Sequence, residues 1–111
     1  MIQATFVRQE GNLASVELTG HAGAGEYGFD IVCAAVSTLS INLINSLEVL
    51  AGCTVDYDIN EIDGGYMKID ISMAANKNEE KVQVLFESFL LGITNLAENS
   101  SEFVSSSVIT I

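Results

Sequence analysis

At 111 residues the chain has room for one domain, and fifteen acidic against four basic side chains leave a net charge of −11. Phosphate backbones are held by clustered Lys and Arg, which this sequence lacks, so no direct nucleic-acid partner is expected. Half the residues (49%) are apolar, which excludes disorder, while no uninterrupted apolar run approaches the roughly 18 residues of a membrane span.

Met1–Phe6 has no basic stretch followed by a hydrophobic one, so secretion is not expected. Two cysteines twenty positions apart then read as cytosolic thiols, not as a disulfide framework. With no proline, repeat or low-complexity tract, residues 1–111 are expected to form one domain. Ile2 to Arg8 alternates as a strand, and Glu10-Gly11-Asn12 turns the chain. Leu13 to Thr19 returns with Ala14, Val16 and Leu18 on one face against Ser15, Glu17 and Thr19, giving an antiparallel hairpin.

Gly20 to Gly28 is too rich in glycine for regular structure and reads as a mobile loop. Asp30 suits a helix N-cap, and the helix is expected to run to about Ala51 with Gly52 as its stop. Ile31, Val32, Ala35, Val36, Leu39, Ile41, Leu43, Ile44, Leu47 and Leu50 make it apolar nearly all round. Such a helix is buried on more than one side, by the sheet and by a second subunit or the other helix. Thr54 to Asn60 and a strand carrying Met67, Ile69 and Ile71 form a second hairpin around Asp63-Gly64-Gly65. Asn78 to Glu98 is an amphipathic helix with Glu79 and Glu80 in its first turn, and Phe103 to Ile111 a final strand. The order ββαββαβ predicts an α+β domain, a mainly antiparallel sheet packed with two helices.

Three groupings suggest chemistry. Gly23, Gly25 and Gly28 spell GxGxxG, a phosphate cradle in dinucleotide sites. Against that role, the preceding strand alternates, Glu26 and Asp30 bring negative charge, and the chain is too short for a two-halved dinucleotide fold. Asp56-x-Asp58-x-Asn60 opens like a calcium loop, but Glu61 and Met67 stand where Gly and Glu are required, so no metal site is expected.

The third grouping is Cys33 with His21, the only histidine, twelve positions earlier. Thiol chemistry needs the thiolate, and free cysteine ionises near pH ~8.5, so its pKa must be lowered. With Asp30 as N-cap, Cys33 falls in the first helical turn, where free N–H groups and the dipole favour an anion. His21 can take the thiol proton and return it to a leaving amine. The Asp30 carboxylate can orient the imidazole, but near the sulfur it opposes the thiolate. The bland alternatives are a small buried Cys33 and an ordinary strand-end His21. Cys53, with no histidine nearby in sequence, reads as packing.

Gly20-His21-Ala22 followed by Gly28-Phe29-Asp30-Ile31-Val32-Cys33-Ala34-Ala35-Val36-Ser37 resembles the signature of the bacterial ribosomal-processing cysteine protease family, Prp. The resemblance implies a cytoplasmic, homodimeric endopeptidase that needs no cofactor. Its substrate would be the short N-terminal extension of a large-subunit ribosomal protein, number twenty-seven. It implies Cys33 as nucleophile and His21 as catalytic histidine, with Asp30 and Ser37 at motif positions around them. Gly23, Gly25 and Gly28 match the family's flexible loop over the substrate cleft. The competing expectation is a non-enzymatic, ribosome-associated dimeric module that binds a peptide without cutting it.

Overall fold

Seven elements follow the expected order: β1 Ile2–Gln9, β2 Asn12–Thr19, α1 Tyr27–Val49, β3 Asp56–Asn60, β4 Tyr66–Asp70, α2 Glu79–Asn99 and β5 Val104–Thr110. The computed structural model describes residues 1–20, 27–60, 65–71 and 79–111, with 27–30 as helical backbone only. The strands form one five-stranded sheet in the order β3-β4-β2-β1-β5.

Strands β1 and β2 are joined by a two-residue turn, in which Glu10 (φ 52) and Gly11 (φ 85) are both left-handed. That geometry matches the right-handed twist of a tight hairpin. The register shifts between Val7 and Arg8, so Val7 pairs with Ser15 and Arg8 with Leu13. Ala14 is therefore the extra residue of a bulge. The bulge corrects the simple alternation: Leu13, Val16 and Leu18 are buried, and Ala14 is only half-buried.

Direction in the sheet follows from the crossovers. Strand β4 is antiparallel to β2, as β1 is, so β1 and β4 run the same way. Helix α2 carries the chain back, so β5 runs with β4 and pairs in parallel with β1. Every other pairing is antiparallel. Both helices lie on one face, where Ile2, Ala4, Phe6, Leu13, Val16, Leu18, Met67 and Ile69 meet Val32, Val36, Leu43, Ile44 and Leu47 of α1. From α2 come Val82, Phe86, Phe89 and Ile93. Phe6 meets Phe86 edge-on at 6.3 Å and Phe89 at 5.7 Å. The opposite face exposes Gln3, Glu17 and Lys68.

Three features differ from expectation. Helix α1 starts at Tyr27, so Asp30 is its fourth residue and not its N-cap. Strand β3 starts at Asp56, two residues late, and all five of its residues are exposed. Tyr57 and Ile59 oppose Ile69 and Met67, which places them on the helix-bearing face. At the sheet edge, however, they remain 50% and 36% exposed. Finally, Ile31–Val49 is apolar enough on average to cross a membrane, though serines and asparagines break every run. In this fold its inner side is sunk in the core.

Candidate active site

Strand β2 is the middle strand, and the chain leaves the sheet at its end. One residue beyond, the Gly20 N–H donates to the Gly65 carbonyl at 3.1 Å. His21, Gly23 and Gly25 lie outside the described residues, as does most of the GxGxxG pattern. Gly28 and Asp30 belong to the first turn of α1. The His21–Cys33 separation therefore belongs to the undescribed part of the chain.

Cys33 is seven residues into α1, in the second turn. Its N–H lies beyond the four that lack intrahelical partners, which corrects the expected first-turn placement. It is thus committed to the helix ladder and is no oxyanion donor. The dipole, which fades within a turn, acts on the sulfur less than a first-turn position would allow. The residue is 9% exposed and sits at the margin of the core. Val32 and Val36 beside it are inside, while Ile31 and Ala34 face out. Ser37, one turn further on, is half-buried, and i,i+4 neighbours lie about 5–6 Å apart at Cβ. Ser37 also lines an open surface recess of about 430 Å³ with Thr38, Ile41, Asn42 and Asn45.

Cys53 is in a different environment. Gly52 (φ 63) ends the helical region, and the Cys53 N–H turns back to the Leu47 carbonyl at 2.9 Å. The thiol is 4% exposed and donates to the Thr54 carbonyl at 3.7 Å. Burial, followed by the Glu48 carboxylate, pushes its pKa up. A neutral, enclosed thiol is a packing group, as the sequence indicated. The two cysteines do not form a disulfide.

Asp58 faces Lys68 and Asp56 faces Asp70 across the β3–β4 ladder. Among the described residues no three His, Cys, Asp or Glu gather as metal ligands. The sequence names Gly20 only as part of the glycine-rich loop and the motif, because its steric setting depends on Met1, nineteen residues earlier.

The comparisons agree on one family. The model for the cysteine protease Prp matches residues 1–105. The ribosomal processing cysteine protease Prp of Bacillus subtilis (strain 168) is 36% identical over 98 residues, 86% of this chain and 87% of that protein. The protein of the same name from Staphylococcus aureus (strain Mu50) is 34% identical over the same shares. A crystal structure of SMU.848 from Streptococcus mutans has a TM-score of 0.97 at 72% identity, covering 100% of this chain and 96% of that one. The essential ribosomal processing protease Prp from S. aureus, in complex with a substrate peptide, has a TM-score of 0.82 at 27% identity. It covers 98% of this chain and 100% of that one.

This family match and these relatives define the class, a cysteine protease, which sets aside the non-enzymatic module. Within that class, the chain belongs to the Prp family.

Proposed function

We propose that this chain is an endopeptidase that trims the short N-terminal extension of a large-subunit ribosomal protein, number twenty-seven. Support comes from the relatives named as ribosomal processing proteases and from the S. aureus relative holding a substrate peptide. One observation carries the assignment of the nucleophile. Of the two thiols, Cys53 is enclosed and held neutral, while Cys33 sits at the core margin one turn from an open recess.

In this reading the Cys33 thiolate attacks the scissile carbonyl after His21 takes the thiol proton. The tetrahedral adduct collapses, and the imidazolium protonates the departing amine, leaving a thioester on Cys33. Water, deprotonated by His21, then hydrolyses the thioester, releasing the carboxylate and restoring the thiol. The oxyanion donor lies outside the helix ladder. Asp30 and Ser37 support the dyad, and the stretch with Gly23 and Gly25 closes over the peptide and excludes water, whereas Gly28 belongs to the first turn of α1. The enzyme works in the bacterial cytoplasm without a metal or cofactor, and the step uses neither nucleic acid nor membrane. It acts as a homodimer, for which exposed Val49 of α1, Leu50 just after it, and Tyr57 and Ile59 of β3 supply apolar surface.

The test is mass spectrometry of the extension peptide after incubation. Wild type and Cys53→Ala should release the truncated product, and Cys33→Ala none. Turnover by Cys33→Ala near the wild-type rate would remove the nucleophile assignment.

A further inference from the structure

The central strand β2 ends between the first residues of its two neighbours, with Thr19 opposite Gln3 of β1 and Tyr66 of β4. Gly20 follows, still tied to β4 by its hydrogen bond to Gly65 at 3.1 Å. Its φ of +77 lies where L side chains are strained. A Cβ there would fall onto the Met1 carbonyl oxygen, far inside van der Waals contact, with the Met1 carbonyl carbon at 3.2 Å and Ile2 Cα at 3.8 Å.

These obstacles are backbone atoms, so no rotamer moves them aside. Nor can that backbone easily shift. Ile2 is fully buried, and its N–H donates to the Phe103 carbonyl at 2.7 Å. Gly20 is thus clamped between two neighbouring strands in a conformation and a space that only glycine fits. The next residue is His21.

We infer that Gly20 is the positioning residue for His21, fixing the direction in which the chain leaves the sheet and so where the imidazole stands relative to Cys33. The inference rests on the His21–Cys33 dyad proposed above. Any side chain at 20 must push the strand end away from Met1, and His21 is the first residue that this displaces.

Gly11→Ala is the control: it has a similar φ (+85) but nothing within 4 Å of an added Cβ. Peptide turnover and the pH dependence of Cys33 alkylation by iodoacetamide are read in a Cys53→Ala background. Gly20→Ala is expected to lower kcat by about 10²-fold or more, with KM nearly unchanged. It should also raise the midpoint pH of alkylation as far as His21→Ala does. In a His21→Ala background, adding Gly20→Ala should cost less than about twofold, because both changes remove one function. Gly11→Ala should leave both readouts unchanged.

Inserting one glycine between Gly20 and His21 keeps every contact of Gly20, and the same loss is expected. This variant carries the test should Gly20→Ala not fold. Normal turnover with the insertion overturns the inference. So does a Gly20→Ala midpoint that stays put, or a loss that adds in full to that of His21→Ala. A His21→Ala midpoint equal to wild type is a separate failure, because it removes the dyad itself.

Discussion

Cys33 and Cys53 are the same residue type in different surroundings, one at the core margin and one enclosed. The Cys53 thiolate is disfavoured by enclosure and by Glu48, so below neutral pH it holds less thiolate than an ordinary thiol. Limited alkylation near pH 6.5 should label Cys33 at least about tenfold faster than Cys53. The gap should narrow as the pH rises through the raised Cys53 value. Equal labelling at low pH would contradict the assignment. Gln83 shows the same dependence on surroundings for stability. Beside the bulge its carboxamide accepts from the Leu13 N–H (2.8 Å) and donates to the Leu13 carbonyl (2.9 Å), beyond the last β4 partner of β2, Asp70 opposite Ser15. Gln83→Ala strands both part-buried groups and should cost about 1–3 kcal/mol, read as a lower urea midpoint. An unchanged midpoint would mean that water replaces the amide without loss.

Among the elements, the clearest patterns in the sequence were those set by neighbours on the same chain segment. The three-four spacing from Val82 to Ile93 buries the expected stripe of α2, and Met67 and Ile69 face inward as their alternation indicated. What the pattern lacked was information held by distant residues. Gly28, a poor helix former, pushed the expected start of α1 back to Asp30. As the second residue of the helix it lies at the fraying end, where fixing glycine's freer backbone costs less than in the interior. The sequence pattern marked β5 as a strand but not its parallel neighbour, and β3 as a hairpin strand without showing that Tyr57 and Ile59 stay exposed at the sheet edge. The candidate site was legible in part. The motif singled out Cys33 and His21, whereas spacing alone gave neither the second-turn position of the thiol nor the clamp at Gly20.

Helix packing offers its own test. A Cβ on Gly92 of α2 would lie 3.5 Å from Leu39 Cδ1 of α1, an ordinary contact. Gly92→Ala should therefore stabilise the protein by about 0.5–1 kcal/mol through lower chain entropy in the unfolded state. Destabilisation in a thermal melt would mean the two helices are packed closer than this.

At the scale of the whole molecule, a net charge of −11 attracts a basic peptide over a range set by salt, about 10 Å at 0.1 M. For the proposed ribosomal substrate this acts chiefly on encounter, so kcat/KM should fall as ionic strength rises to the physiological level, with kcat little changed. A salt-independent kcat/KM would remove charge steering from the account. The exposed apolar side chains of α1 and β3 predict a dimer in sedimentation at micromolar protein. Val49→Asp, at a position 79% exposed in the isolated chain, should shift that dimer towards monomer, and a wild-type monomer under the same conditions would refute it.

The most direct measurement is intact mass after rapid acid quench of enzyme with excess extension peptide, followed by peptide mapping. An acyl fragment of the substrate joined to Cys33 is the predicted result. Continued turnover with the fragment found on Cys53, or with no adduct at any quench time on a slowly hydrolysed peptide, would contradict covalent catalysis at Cys33.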